Sequence, residues 1–218
     1  MMATTMRIKP QRAGGLTVVE VLLVIATVVL VAAVLLPRLE RSHPRSSRIG
    51  CTSNLKQVGL SFRLWSNDNN DQFPQVSTNS ASSLAWANSP QVFRHFQSLS
   101  NELVTPKVLV CPLDKKRKQA SDFVNFSNAN LSYFVALDAD ESKPQRLLSG
   151  DRNITGGTLS NGFLRTVTSN TLAGWTTELH NRAGNVGLSD GSTTQTTEKS
   201  LQRQLELGDL PVIRLAIP

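Results

Sequence analysis

The sequence is poor in the residues that most catalytic and metal sites require. It has two cysteines, three histidines and one tyrosine among 218 residues. It contains no Gly-x-Ser-x-Gly, no His-Glu-x-x-His, no phosphate-binding loop and no Cys/His spacing typical of zinc. A nucleophile also needs a base and an orienting group within reach, and His43 lies in a linker. We therefore expect no enzyme activity.

Acidic side chains are fewer than basic ones, which gives a formal net charge of +7. Such a balance can indicate nucleic acid or an anionic membrane surface as a partner. Three of the basic residues, Arg7, Lys9 and Arg12, lie before Gly15. The rest include a set that follows the apolar run and the run at residues 115–118, with no nucleic-acid motif beside either. Solvated basic faces are the better interpretation, and we expect no nucleic-acid partner.

The two cysteines, Cys51 and Cys111, are the whole thiol content of the chain. They can form one disulfide if the domain lies outside the cytoplasm. Closing a loop of about sixty residues would stabilise the fold by roughly 4 kcal/mol in the chain-entropy model. The alternative is two separate buried thiols.

One long apolar run, residues 16–36, interrupts an otherwise polar chain. As a helix, its 21 residues would span about 31 Å, close to the hydrocarbon thickness of a bilayer. A secretory signal has a shorter apolar region, so a signal peptide cleaved near Ala33 is the weaker alternative. Glu20 is the single carboxylate inside the run. A carboxylate within a membrane indicates a function and requires a cationic partner.

The chain after the proline at position 37 carries signals of a second helical segment and then of a sheet. Leu55, Val58, Phe62 and Trp65 lie three, four and three residues apart, which predicts a helix over 46–66 that packs on its own domain. The Asn/Asp-rich residues 67–71 end it. Further helices are predicted at 91–103 and 199–207. Short apolar runs between turn residues predict antiparallel strands at 107–111, 131–137, 171–175, 185–188 and 212–217.

The residues around Glu20 form a motif. A short basic leader ends in two glycines at 14 and 15, and Leu-Thr-Val-Val-Glu follows at 16–20. This pattern resembles the prepilin signal of type IV pilins and type II secretion pseudopilins. The resemblance implies that a prepilin peptidase cleaves between Gly15 and Leu16 and methylates the new amine. Leu16 departs from the commoner phenylalanine, while Pro37 stands where many type IV pilins carry a helix-kinking proline.

Cleavage would give Glu20 a cationic partner. The new α-amino group on Leu16 has a reference pKa of about 8 and stays cationic after mono-methylation. In a filament, Glu20 of one subunit can pair with the Leu16 ammonium of its neighbour, so each buried charge is compensated only on assembly. Removing one partner of a buried pair costs about 3–5 kcal/mol. The alternative is a carboxylate that snorkels near the interface of an ordinary signal anchor.

Later segments resemble the pseudopilin-like proteins abundant in planctomycetes and verrucomicrobia. These are residues 51–60 and 65–74, Val-Cys-Pro at 110–112, Leu-Ser-Gly-Asp-Arg-Asn at 148–153, and His180 followed after nine residues by Asp190-Gly191. The last spacing predicts a hairpin in which 185–188 is a strand and Asp190-Gly191 is the turn.

The roles of His180, Asp190 and Gly191 stay open between two interpretations. In the first, Asp190 caps backbone amides of the turn and His180 holds a loop. In the second, the domain binds calcium, which some pseudopilins hold in a loop of the sheet domain. No EF-hand spacing is present. The oxygen ligands available to calcium are Asp138, Asp140, Glu141, Asp151 and Asp190.

These observations predict an α+β, pilin-like fold, in which a long N-terminal helix with a transmembrane first half packs against a small antiparallel sheet domain. The expected parts are a leader (1–15), a transmembrane assembly helix (16–36), an amphipathic helix with proline kinks (37–66) and an extracytoplasmic β-rich domain (67–218). Basic residues flank the apolar run on both sides and do not set its orientation. The leader motif predicts a single-pass inner-membrane protein with a cytoplasmic N-terminus and a periplasmic domain.

The expected function is that of a prepilin subunit assembled into a type II secretion-like pseudopilus. Its expected partners are prepilin peptidase, the inner-membrane assembly platform, other pseudopilins, copies of itself, and membrane lipid around the N-terminal helix. One alternative is a type IV pilus subunit for adhesion, motility or DNA uptake. Another is a signal-anchored extracytoplasmic module that binds calcium or polysaccharide and does not polymerise.

Overall fold

The computed structural model describes residues 17–168 and 170–218, with the side chains of 34–46 and of residue 169 outside the described set. Gly15 and Leu16, the predicted processing residues, therefore lie outside the described part of the chain. The chain divides into two compact units, Met1–His43 and Pro44–Pro218. The first helix, α1, has the bounds Val18–Asn67.

The start of α1 is a capping box built on Thr17 and Glu20. The backbone N–H and the hydroxyl of Thr17 donate to Glu20 Oε2 at 2.8 and 3.0 Å, and the Glu20 N–H donates to Thr17 Oγ1 at 3.3 Å. The pattern Thr-x-x-Glu is the sequence signature of such a box. The carboxylate also lies in the first turn, where the helix dipole favours negative charge.

The second part of α1 packs on its own unit through the predicted stripe. Leu55, Val58 and Phe62 are fully buried and Trp65 is 4% exposed, which confirms the prediction. The helix ends at Asn67, where the Asn/Asp-rich turn begins. Asn70 and Asp71 in that turn have positive φ angles, which these residue types tolerate better than most.

Nine strands follow, and all of their pairings are antiparallel. Seven form one sheet with the order β4-β5-β9-β1-β2-β7-β8, while β3 and β6 form a separate two-stranded ribbon. The strands are β1 (Tyr133–Ala136), β2 (Leu147–Asp151), β3 (Ile154–Thr155), β4 (Thr158–Ser160), β5 (Leu164–Thr168), β6 (Gly174–Trp175), β7 (Ala183–Leu188), β8 (Thr193–Thr197) and β9 (Val212–Ala216).

The remaining helices are short: α2 (Phe93–Gln97), α3 (Ser100–Leu103) and α4 (Glu198–Leu207). The prediction of a helix over 199–207 is confirmed by α4, which Thr197 caps by accepting from the Ser200 N–H. The helix predicted over 91–103 is divided into α2 and α3. The strand predicted at 107–111 is wrong, because Pro106 and the capping side chain of Thr105 start a 3-10 turn over Pro106–Leu109.

The predicted fold class is wrong. We expected a small sheet beside a helix with a transmembrane first half, whereas a large seven-stranded antiparallel sheet dominates the structure, with short helices after α1. Within the ranges 17–168 and 170–218, no helix combines the length and the apolar character that crossing a membrane requires. The apolar run behind the expectation includes Leu16 and residues 34–36, which fall outside the described side chains. The sheet was underestimated because β2, β4, β5 and β8 are rich in Ser, Thr and charged residues.

Candidate functional site

The predicted hairpin is present: β7 pairs with β8, Asp190 and Gly191 lie in the turn between them, and His180 precedes β7. Asp190 Oδ1 accepts the Ser192 N–H at 2.8 Å, and Gly191 has a φ of +82°. The turn lies against α1: a Cβ on Gly59 would lie 3.4 Å from Gly191 Cα. Arg63 of α1 also donates to the Asp190 carbonyl at 2.9 Å. Asp190 and Gly191 therefore shape the turn and hold it on the helix.

His180 lies in a buried polar cluster with Asp151 and Asn185, called here the His180 cluster. His180 Nε2 is 3.2 Å from Asp151 Oδ2 and 3.1 Å from Asn185 Nδ2. The Asn185 backbone N–H and side-chain amide donate to the same carboxylate oxygen at 2.6 and 3.0 Å. The pairing of β2 with β7 brings Asp151 and Asn185 together, since Gly150 is opposite Val186. The side chains of His180 and Asp151 are fully buried.

The Cys51–Cys111 disulfide is present and borders this cluster. It joins α1 to the segment before β1, and Cys111 Sγ lies 3.6 Å from His180 Nε2. The two sulfurs and a ring nitrogen of His180 all lie within 4.8 Å of one another. In the part of the chain that the structure describes, this is the one group of three or more His, Cys, Asp or Glu ligand atoms close enough to hold a metal.

Two polar atoms of the His180 cluster have no hydrogen-bond partner among the described residues: Asp151 Oδ1 and His180 Nδ1. Tyr133, opposite Asp151 on β1, is also buried. Burial raises the pKa of Tyr133 well above its ordinary value, and the negative charge of Asp151 adds to the effect. Tyr133 therefore stays protonated.

A second polar group, called here the Arg152 cluster, consists of the buried Asp114 and Ser132, the partly buried Arg152 and the exposed Glu178. Arg152 Nε and a terminal nitrogen donate to the two oxygens of Asp114 at 2.7 and 2.9 Å. Arg152 also donates to Glu178 at 3.2 Å, and Ser132 donates to Asp114 at 2.8 Å. Burial by itself would raise the pKa of Asp114, but the hydrogen bonds from Arg152 and Ser132 hold that pKa below its ordinary value.

The motif at 148–153 is explained by these two clusters. A Cβ on Gly150 would lie 2.6 Å from the Phe134 ring, so the strand requires glycine there. Asp151 then enters the His180 cluster, and Arg152 enters the Arg152 cluster. Asn153 donates to the Thr176 carbonyl at 3.1 Å. Sequence reasoning singled out this motif but gave no role to Arg152.

The calcium candidates are distributed over three places. Asp138 and Asp140 line an open cleft of about 410 Å³, and each is paired with an arginine. Asp151 belongs to the His180 cluster, and Asp190 lies in the β7–β8 turn. Nowhere in the described ranges do three of these carboxylates form a metal-binding group. Calcium binding stays a prediction to which this geometry adds no support.

No known protein family, curated protein or solved structure matches this chain. Function must therefore be argued from the leader motif and from the geometry of the described residues.

Proposed function

We propose that this protein is made as a prepilin and serves as a structural subunit of a type II secretion-like pseudopilus. A prepilin peptidase cleaves between Gly15 and Leu16 and methylates the new amine. The subunit then assembles with its own copies and with other pseudopilins at the inner-membrane assembly platform. The observation that carries the proposal is the leader motif, in which Glu20 is the fifth residue after the cut.

The environment of Glu20 supports a role in assembly. Its carboxylate is exposed and lies in the first turn of α1, close in sequence to the proposed new amine. The hydrogen bonds from Thr17 engage Oε2 and orient the side chain. A carboxylate oriented in this way can accept the ammonium of a neighbouring subunit, and burial at the subunit interface would strengthen the pair.

The apolar surface of the first part of α1 supports the same proposal. Its large apolar side chains are exposed, from 44% at Val21 to 76% at Val18. An exposed apolar surface of this kind marks an interaction site in a folded protein. The exposed side chains are Val18, Val19, Val21, Leu22, Leu23, Val24, Ile25, Val28, Val29, Leu30 and Val31.

We place the unit Pro44–Pro218 in the periplasm, with the N-terminus of the unprocessed chain in the cytoplasm. The Cys51–Cys111 disulfide supports an oxidising compartment for this unit. The leader motif supports the orientation, because the resemblance to prepilins implies a cytoplasmic N-terminus.

One observation favours a second candidate, a signal-anchored extracytoplasmic binding module that does not polymerise. The cleft of about 410 Å³ is lined by acidic and basic side chains, among them Asp138, Asp140, Arg146 and Arg214. Such a mixed lining suits a polar ligand, for example a polysaccharide. A binding module of this class needs no prepilin peptidase, so processing separates the two candidates.

Processing is tested by co-expressing the full chain with a prepilin peptidase. We expect intact-mass and N-terminal analysis to show the loss of residues 1–15 and an N-methyl-leucine at position 16. Gly15→Val should block cleavage, whereas the matched variant Gly14→Ala should be processed as the wild type is. An unprocessed wild-type chain, or a cut near Ala33, would refute the prepilin proposal.

The role of the Glu20 charge is tested with two variants that separate charge from capping. Glu20→Gln removes the charge but keeps a residue that completes a capping box, while Thr17→Val keeps the charge and removes the capping hydroxyl. In a host that builds the pseudopilus, we expect Thr17→Val in the sheared filament fraction and Glu20→Gln to be absent from it. The opposite pattern would assign Glu20 to capping alone.

A further inference from the structure

We propose that the reduced protein holds a Zn²⁺ ion between Cys51, Cys111, His180 and Asp151. The disulfide and the metal site are then two alternative states of the same buried residues. This inference uses only the unit Pro44–Pro218 and does not depend on the proposed function.

Two pairs of the proposed ligand atoms already have the spacing of a tetrahedral site. In such a site, Zn–S bonds of about 2.3 Å and Zn–N or Zn–O bonds of about 2.0–2.1 Å place neighbouring ligand atoms roughly 3.3–3.8 Å apart. Cys111 Sγ is 3.6 Å from His180 Nε2, and His180 Nε2 is 3.2 Å from Asp151 Oδ2. Breaking the S–S bond lets the two sulfurs move apart to the same spacing.

The unpartnered Asp151 Oδ1 is a second, independent observation that indicates a cation. A buried carboxylate oxygen without a donor is unusual in a folded protein, and a metal bound by both oxygens of Asp151 would satisfy it. The Asn185 amide and backbone N–H already orient the carboxylate through Oδ2, the oxygen that lies 3.2 Å from His180 Nε2. Hydrogen bonds of this kind to a ligand carboxylate are typical of the outer shell of metal sites.

The chemistry of the four ligands favours zinc over the hard cations. Calcium and magnesium are held by oxygen ligands, whereas two thiolates with an imidazole and a carboxylate suit Zn²⁺. This donor set also distinguishes the site from the calcium candidates, since only Asp151 belongs to both.

The interconversion requires a reductant, which we take to be a dithiol. The dithiol transfers two electrons and two protons to the Cys51–Cys111 bond, which breaks to give two thiols, and the dithiol itself becomes a disulfide. Zn²⁺ then replaces one proton on each thiol, and two protons pass to solvent. His180 binds as the neutral imidazole through Nε2, with its proton on Nδ1. Oxidation back to the disulfide releases the metal, because the thiolate electron pairs are then used in the S–S bond.

The test uses the full chain in detergent and Co²⁺ as the spectroscopic probe for Zn²⁺. The protein is reduced with a dithiol, freed of reductant under anaerobic conditions and titrated with Co²⁺. We expect a thiolate-to-metal charge-transfer band and the strong visible bands of tetrahedral Co²⁺, both abolished by Zn²⁺. The disulfide form should show neither band, which makes it a control that needs no substitution.

Two ligand variants and one matched control complete the test. His180→Asn and Asp151→Asn should each weaken Co²⁺ binding by more than the roughly 10–100-fold that loss of an outer-shell partner costs. His95→Asn should bind as the wild type does, since His95 is equally buried but bonds to Ser83 elsewhere in the domain. Circular dichroism of each disulfide form checks the fold. Absence of the thiolate band in reduced wild type, folded or not, would overturn the proposal, as would unchanged affinity in His180→Asn.

Discussion

Consecutive residues at the end of β2 enter two clusters that differ in how well their polar atoms are paired. Arg152 binds Asp114 in a bidentate pair, and both oxygens of Asp114 accept hydrogen bonds. Asp151 has one oxygen with three polar neighbours and one with none among the described residues. A fully paired network fixes a fold, whereas a partly paired one leaves buried atoms that can bind something else. The Arg152 cluster should therefore contribute more to stability than the His180 cluster.

Removing the arginine should have the largest effect on stability. Arg152→Met leaves Asp114 buried without its bidentate partner, which should lower the free energy of unfolding by about 3–5 kcal/mol. Urea unfolding of the disulfide form measures this. The matched variant is Arg146→Met, which removes a partner of the half-exposed Asp140 and should cost less than about 1 kcal/mol. Equal losses in the two variants would contradict a structural role for the Arg152 cluster.

The next largest effect should come from acid, through a buried histidine that has no carboxylate partner. Burial lowers the pKa of His95 from 6.5 to about 4. As pH falls from about 6.5 to about 4, His95 becomes protonated in the unfolded chain but stays neutral in the native state. The free energy of unfolding should then fall by about 3 kcal/mol across this window, and this term is fully present only above pH 6.5 or so.

The contribution of His95 is isolated by comparing wild type with His95→Asn, since carboxylates titrate equally in both chains. Urea unfolding at several pH values should show a flatter pH dependence in the variant. Parallel curves would mean that His95 does not carry the effect.

A smaller effect on stability is expected in the His180 cluster. Asp151→Asn keeps an oxygen that can accept the Asn185 N–H, and it removes a buried negative charge. The free energy of unfolding should change by about 1 kcal/mol. Asp114→Asn is the matched control and should cost more, because it breaks a charged bidentate pair. If Asp151→Asn lowers the free energy of unfolding more than Asp114→Asn does, the His180 cluster contributes more to stability than the Arg152 cluster.

The smallest effect is expected at the edge of the Arg152 cluster, where Lys116 pairs with Glu178. The Lys116 side chain is 72% exposed, so the pair is screened by solvent. Lys116→Ala should change the free energy of unfolding by about 0.5 kcal/mol or less. Calorimetry at low and high salt measures this change. A loss of stability close to that of Arg152→Met would show that Lys116, Glu178, Arg152 and Asp114 stabilise the fold as one network.

The parts of the fold that were predictable from sequence have local signals. The buried stripe on α1 follows the helical period, and α4 carries its own cap. The β7–β8 hairpin is marked by Asp190-Gly191. By contrast, β8 reads Thr-Thr-Gln-Thr-Thr, and one residue of the five, Thr196, is buried. The size of the sheet could not be predicted, because it depends on pairing between strands that are distant in sequence.

The same distinction explains what was predicted of the site. The spacing of His180 and Asp190 predicts a hairpin, but it does not bring Asp151 or Cys111 to His180. That convergence requires the pairing of β2 with β7 and the disulfide. The capping role of Glu20 has a local signal in the sequence, the pattern Thr-x-x-Glu at residues 17–20. The interpretation of Glu20 as one half of an ion pair did not use this signal.

The place of β9 has a consequence for when the domain can fold. This strand, Val212–Ala216, is the last of the nine in sequence, yet it lies between β5 and β1 in the sheet. Before it is inserted, the β4–β5 pair has no strand partner among the other four strands of the sheet. Contacts between distant parts of the chain form slowly. The seven-stranded sheet can therefore close only after residues 212–216 have been made.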